Sequence, residues 1–473
     1  MGSRIAQALR SVFYIEKHER LKVFFLTCAF FFIIGGYTIT KELKDSIFIS
    51  VVGKDYLSYA KWLTMIVLTP ALLLYSALVD RLRRYQLLCL YALIYGALGL
   101  VFTYLLGHPT IGLENTTPNP SRLLGWFFYL FVEGYQPFVV SIFWAFANSI
   151  TTPDSAKKYY GIMVSGSKLG GVISAAFGWW ILSSATSSLF VSTDSSKHQL
   201  LLACASVLSL LVPVWIWGLI RNVSGKYLHG YEAVYQVEKQ RTKEGASDTG
   251  VWAGLTMLIK YPYAFGMFCL VLFYEIIMAV LNYQRIGIAQ EQSSNISDVS
   301  GFLFKIILVT HTLGFLISLF GTTPLLKRLG ERRCLLLVPI STAILFVYFR
   351  IQSTQFAFLS MFVALRSIHY GFSYPVRESL YIPTVKEVKF KSKSWIDAFG
   401  TKFAKTTGWV FNHLARGLDM GAFITAQSFL FGSIIGLWMV TAYLIGRRFE
   451  RAIANNEVIG LDSDETNSTT QTV

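Results

Sequence analysis

An all-α membrane protein of twelve transmembrane helices, arranged as two six-helix halves, is the fold class this sequence predicts, and three observations predict it. The 473 residues are 53% hydrophobic and only 15% charged, with a mean hydropathy of +0.49, too apolar for a water-soluble domain of that size. The apolar residues fall in continuous runs of about 20, the length at which a helix crosses a bilayer. Alternation of apolar and polar residues is missing from these runs, which excludes a membrane β-barrel. Finally, the basic residues alternate from loop to loop, as a correctly counted multi-pass topology requires.

The spans follow in order. A cytoplasmic N-terminal segment, 1–21, precedes a first half, 22–220, with spans at 22–50, 62–79, 85–106, 123–150, 159–184 and 199–220. A cytoplasmic central loop, 221–261, is rich in Lys, Arg, Glu and Gly. The second half, 262–446, has spans at 262–289, 301–321, 334–350, 354–375, 395–415 and 421–446, followed by a polar tail, 447–473, expected to be cytoplasmic and disordered. With both termini in the cytoplasm, 28 of the 42 lysines and arginines lie in cytoplasmic segments. Only 6 lie on the opposite side (Lys54, Lys61, Arg122, Lys197, Arg350 and Arg416), and the other 8 sit inside spans, with the span-edge residues Lys22 and Arg350 counted in their flanking loops. An error of one helix would destroy this asymmetry. The net charge of +15 therefore reports topology, and no nucleic-acid partner is expected. A multi-pass inner-membrane location is expected. The apolar run from Val23 leads into charges with no small-residue cleavage site, so neither a cleavable signal nor a plastid-type transit peptide is read there. The five cysteines show no CxxC spacing, so neither a disulfide framework nor a zinc site is indicated.

The halves echo each other. Leu78-Val79-Asp80-Arg81-Leu82-Arg83-Arg84 follows the second span, and Leu326-Lys327-Arg328-Leu329-Gly330-Glu331-Arg332-Arg333 follows the eighth. Both resemble the short acidic–basic turn of the major facilitator superfamily, in which two six-helix halves surround a midplane site.

The charges inside the spans carry the chemistry. Lys41, Lys44, Lys168, Arg285, Lys305, Arg366, Lys402 and Lys405 are the cations. At the bilayer centre each costs roughly 2.5–3.5 kcal/mol, so those that do not reach the interface must line a wet or anion-filled cavity. Lys41 and Lys44 share a face at i, i+3, and Lys41 and Asp45 at i, i+4, if the first helix runs that far; otherwise it stops at Thr40 and the cluster is a loop. Glu133 lies deep in the fourth span, either paired with a cation or protonated. Lys168 sits in Ser165-Gly166-Ser167-Lys168-Leu169-Gly170-Gly171, where small residues favour close helix approach; no strand precedes the glycines, so they are not a phosphate loop. Span seven carries Glu275, Asn282 and Arg285, and span eight Lys305 and His311. Arg366 and His369 pair at i, i+3, and Asp397, Thr401 and Lys405 line one helical face with Lys402 beside them. The histidines are read as satisfied core residues before proton relays. Metal-ligand clusters, nucleophile–base pairs and paired catalytic carboxylates are not seen, so no enzyme is expected.

Three blocks resemble a known family. Tyr37–Phe48 (YTITKELKDSIF) resembles the first-helix motif of the nucleotide transporters, the ATP/ADP translocases of plastids and obligate intracellular bacteria. Phe143–Tyr160 (FWAFANSITTPDSAKKYY) is similar to that family's fourth-helix exit. Arg377–Pro383 (RESLYIP), Lys389–Asp397 (KFKSKSWID) and Lys405–Gly408 (KTTG) form the third block. The resemblance implies a major-facilitator-like carrier of nucleotides. It places the family's first-helix lysine on Lys44, its fourth-helix glutamate on Glu133, and its loop and eleventh-helix lysines on Lys391, Lys393 and Lys405, with Lys402 where relatives often carry arginine. Asn282-Tyr283-Gln284-Arg285 departs from a segment that is more lysine-rich in the family, and the chain is shorter than the family's usual length.

The expected function is exchange of ATP for ADP by alternating access, with the lipid bilayer and a nucleotide as partners and a monomer as the working unit. Lys44 and Lys168 from one half, with Lys402 and Lys405 from the other, would clamp the phosphates, and Asp397, Arg285 and Lys305 complete the substrate-binding candidates. Glu133, Glu275 and Asp45 are the coupling or gating candidates. Tyr37, Trp144 and Tyr283 are among the candidates for the base. The alternative is proton-coupled import of a nucleotide or another organic anion, with Glu133 or Glu275 carrying the proton.

Overall fold

The computed structural model describes residues 19–150, 153–183, 193–224, 256, 258–293, 295–381, 384, 392–455, 457 and 459. Among these the secondary structure is helical, with one isolated β-bridge between Thr384 and Ile459 and no strand. Helix α1 is Arg20–Val51, α2 Leu57–Arg81 and α3 Arg84–Leu106. Helix α4 runs Leu123–Tyr135, a π-helical turn Gln136–Val140, then Ser141–Ile150; α5 is Pro153–Leu182 and α6 Asp194–Asn222. Helix α7 is Pro262–Glu291, and α8 is Ile296–Leu316, extended by the π turn Ile317–Thr322. Helix α9 is Thr323–Gln352, and α10 runs Gln355–Ile368, the π turn His369–Ser373 and Tyr374–Ser379. Helix α11 runs Lys393–Trp395, the π turn Ile396–Gly400 and Thr401–Leu414, and α12 is Met420–Ala454. Eight described helices are long and apolar enough to cross a membrane. Of those that fall short, α10 carries Arg366 and α11 carries Asp397, Lys402 and Lys405.

Several expectations are refined. The Lys41–Asp45 cluster lies inside α1, because nothing breaks the run before Gly53, whose φ of +117° ends it. The turn expected between the eighth and ninth spans shrinks to Gly330, whose φ of +72° breaks an otherwise helical backbone. The tail expected from residue 447 begins later. Arg447–Ala454 continue α12, held by Arg332 Nη1 and Glu450 Oε2 at 3.3 Å. Helix starts follow capping rules: Thr193 accepts from the Ser196 N–H at α6, and Asp419 accepts from the Ala422 N–H at α12. Lys391 and most of the central loop lie outside the described residues.

The described residues form two compact units. Unit 1 draws on Met1–Ala60, Pro70–Ser247 and Ile288–Phe315; unit 2 draws on Lys61–Thr69, Asp248–Gly287 and Leu316–Val473. Both units pack helix on helix through missing side chains. A Cβ on Gly170 would lie 2.5 Å from the Phe31 carbonyl oxygen, so α5 meets the backbone of α1 where glycine stands. A Cβ on Gly408 would lie 2.7 Å from the Ile276 carbonyl oxygen, which brings α11 equally close to α7. Leu93, Leu98, Val101, Trp180, Phe429 and Leu437 remain exposed, the apolar surface that a bilayer would cover.

Candidate functional site

Unit 1 brings three of the expected residues into one cluster. On α1, Lys44 and Asp45 point into the interior with 4% and 5% of their surface exposed. Lys44 Nζ donates to Glu133 Oε1 at 2.5 Å, and Asp45 Oδ1 lies 3.3 Å from the same ammonium. The Tyr129 ring, one turn before Glu133 on α4, closes over Lys44 Nζ at 4.5 Å. A buried cation is thus matched by two carboxylates and an aromatic face, the arrangement that keeps charge tolerable in a low dielectric. Of the two states open to Glu133, the structure shows the paired one. With all three groups ionised the cluster carries a net charge of −1, so in this arrangement Lys44 is already neutralised.

Around this cluster, Tyr37 stacks on Tyr135 with centroids 5.4 Å apart, donates to Gln136 Oε1 at 3.4 Å, and lies under Lys41 Nζ at 5.4 Å. The π turn of α4 begins at Gln136, three residues after Glu133. Such turns widen the helix and re-aim side chains, often at functional sites. Lys168 is buried on α5 at 9% exposure, in the glycine-rich stretch that fits against α1 as expected. Lys305 is exposed on α8.

Unit 2 holds a second, looser cluster. Glu275 on α7 and Lys405 on α11 lie 3.7 Å apart with side chains 17% and 23% exposed. Lys402 is half-buried one turn earlier. Arg285, 2% exposed, and Arg366, 6% exposed, flank the Phe362 ring at 5.0 and 5.5 Å. Arg377 lies over Tyr374 and Lys393 over Tyr381, each at 5.0 Å. The π turn Ile396–Gly400 lies between Asp397 and Lys405 on α11, and across it the Thr401 N–H reaches back five residues to the Ile396 carbonyl oxygen.

Aromatic side chains account for what the sequence left open and for what it missed. Trp144 meets Phe30 and Phe143 edge-on, and Tyr283 meets Trp409 edge-on at 5.2 Å while accepting from Arg416 Nε at 3.3 Å. These candidates for the base are therefore packed among other side chains. His369 stacks flat on Tyr274 at 3.6 Å, next to Glu275 in the chain, and lines a small cavity with Leu270, Ser373, Arg377 and Trp438. Tyr129 and Tyr274 were legible as neighbours of the two glutamates, Tyr129 by i, i+4 spacing and Tyr274 by adjacency. Among the described residues no group of three His, Cys, Asp or Glu side chains could hold a metal.

A helical bundle exposing apolar surface, with paired charges buried inside its units, is the architecture of a membrane transporter. Solved structures agree on the fold. The D-xylose–proton symporter superimposes with a TM-score of 0.60 at 13% identity, covering 91% of this chain and 97% of its own. A bacterial homologue of the iron transporter ferroportin gives 0.57 at 14% identity, covering 91% and 100%. The chain therefore shares the fold of these transporters.

The model of the TLC ATP/ADP transporter family matches residues 2–113 and 124–449, so the chain belongs to that family, a family of transporters and not of enzymes. Among its relatives are ADP,ATP carrier protein 1 of Chlamydia pneumoniae (26% identity, 95% of this chain and 96% of the relative) and ADP,ATP carrier protein 3 of Rickettsia prowazekii (23%, 91% and 92%). ADP,ATP carrier protein 2, chloroplastic, of Arabidopsis thaliana is 23% identical over 97% of this chain and 79% of the relative.

Proposed function

We propose that the protein exchanges ATP for ADP across the inner membrane by alternating access. In this reading twelve spans form two six-helix halves, 22–220 and 262–446, with both termini and the central loop in the cytoplasm. Membership of the family supports the substrate, and the paired carboxylates support exchange over proton symport. Glu133 and Glu275 each face a lysine within ion-pair distance, so each carboxylate inside a span has a cation to compensate it.

The observation that supports giving them separate roles is the contrast between the two lysine–glutamate pairs. Lys44 is locked at 2.5 Å among two carboxylates with a side chain 5% exposed, whereas Lys405 stands 3.7 Å from Glu275 and 23% exposed. Lys405 is the cation that can trade its carboxylate for a phosphate at small cost. With Lys402, Arg285 and Arg366 in the same unit, it supplies the positive potential that a nucleotide of three or four negative charges requires. Lys44, Glu133 and Asp45 form the coupling cluster, whose charge balance changes only if substrate or a conformational step draws Lys44 away. Lys168, Lys305 and Asp397 are secondary contributors. One chain contains both clusters, so a monomer suffices.

The test is uptake of labelled nucleotides into proteoliposomes. Exchange predicts that internal ADP stimulates uptake of external ATP. Uptake into empty vesicles driven by a pH gradient, with no response to internal ADP, would replace this reading with proton-coupled import.

A further inference from the structure

Unit 1 contains a segment taken from the middle of unit 2's sequence. Ile288–Phe315, the end of α7 and most of α8, packs with unit 1, while the chain before it and after it belongs to unit 2. Resting on the transport reading above, we propose that this hairpin is a gate leaf, fastened by a serine–serine–histidine latch that opens once in each transport cycle.

The latch is fully enclosed. Ser300 on α8 donates to Ser46 Oγ on α1 at 2.7 Å, and Ser300 Oγ lies 2.8 Å from His198 Nε2 on α6. His198 Nδ1 is 2.7 Å from the Asp194 carbonyl oxygen, and Ser46 donates to the Leu43 carbonyl oxygen at 3.0 Å. His198 and Ser300 have no exposed surface, and Ser46 has 1%. Three polar side chains from three helices therefore meet within hydrogen-bond distance where water does not reach. Ser46 follows Lys44 and Asp45 directly in α1, so movement at the latch is carried by the helix that bears the coupling cluster.

The surrounding contacts suit parting and rejoining. Farther along α8, Phe304 fills the notch left by Gly178 on α5, Leu182 of α5 packs beside Gly301, and the His311 ring lies against Gly171 with Nε2 3.5 Å from Thr38 Oγ1. These are side chains seated in glycine-lined notches, which can leave without breaking a helix. The hydroxyls and imidazole of the latch exchange their bonds for water when exposed, so opening forfeits only the small net value of each hydrogen bond. A hinge is present as well. The chain passes from unit 1 to unit 2 between Phe315 and Leu316, and the π turn Ile317–Thr322 begins one residue later. Thr322 Oγ1 anchors the far side of that turn by donating to the Gly371 carbonyl oxygen at 2.5 Å, inside the π turn of α10.

Cysteine cross-linking tests this. Ser46→Cys and Ser300→Cys are combined in a chain whose five native cysteines are replaced, and ADP/ATP exchange is followed in proteoliposomes before oxidation, after oxidation and after reduction. Hydroxyls 2.7 Å apart put the two positions within disulfide reach. The expected result is exchange in the reduced protein, loss of at least about tenfold on cross-linking, and recovery with reductant. Undiminished exchange by fully cross-linked protein overturns the proposal, and so does failure of the pair to cross-link. A second arm needs no nucleotide and so separates failure of the latch from failure of the transport reading. Ser300→Ala should raise the labelling rate of Ser46→Cys by an impermeant thiol reagent roughly tenfold, the ratio set by one net hydrogen bond. An unchanged labelling rate overturns the latch.

Discussion

Glu133→Gln and Lys44→Gln remove opposite ends of one buried contact, and the structure predicts that they differ. Lys44→Gln leaves Glu133 and Asp45 together with side chains 10% and 7% exposed and no ammonium between them. Removing one partner of a buried ion pair in this way costs roughly 3–5 kcal/mol. Glu133→Gln leaves Lys44 with Asp45 at 3.3 Å, and an amide oxygen remains to accept from the ammonium. The loss is then about one charge-assisted hydrogen bond, roughly 1.5–3 kcal/mol. Glu133→Gln should therefore insert at normal levels, lower the unfolding midpoint in detergent modestly and reduce nucleotide exchange strongly, because the cluster can no longer change partners. Lys44→Gln should lower both stability and exchange. The double substitution should be less unstable than the sum of the two, with a coupling of roughly 1–3 kcal/mol. Equal stability losses for the two single variants, or strict additivity in the double, would show that the contact does not hold the charge balance described here. Wild-type exchange by Glu133→Gln would reduce Glu133 to a packing residue.

Neutralising Lys405 should weaken ATP more than AMP or adenosine, by roughly tenfold to a hundredfold, with Lys405→Arg less impaired than Lys405→Gln; equal losses for ATP, ADP and adenosine in competition assays would indicate general collapse of the site. Single cysteines at Asn115 and Ser247 should show Asn115 reactive and Ser247 protected from an impermeant reagent outside intact cells, and the reverse pattern would overturn the orientation. Gly170→Ala should lower the thermal midpoint, since its Cβ would press on the Phe31 carbonyl oxygen at 2.5 Å and overpacking costs roughly 1–3 kcal/mol; an unchanged midpoint would mean that α1 and α5 separate freely.

The helices themselves were legible because bilayer-length apolar runs leave few alternatives, and the boundaries predicted for the first six spans fall within a few residues of α1–α6 apart from the start of α5. What periodicity could not show were the π turns in α4, α8, α10 and α11. Each adds a residue to a turn with no residue type to announce it. The pairing of Lys44 with Glu133 joins residues 89 apart in sequence, and only the cost of isolated buried charge hinted that they would meet. The extension of α12 past residue 446 was hidden because charged residues end a hydropathy run without ending a helix. The Ser46–Ser300–His198 chain was invisible for a different reason, since serines inside apolar spans are common and nothing local marks two of them as partners of one histidine.

The most direct test of the central claim is counter-exchange itself. Purified protein is reconstituted into liposomes loaded with ADP or left empty, and labelled ATP is supplied outside. Uptake that depends on internal ADP, is matched by ADP release, and is lost together in Glu133→Gln and Lys405→Gln is the predicted result. Uptake indifferent to internal ADP, or matched exchange that persists in both variants, would contradict the account.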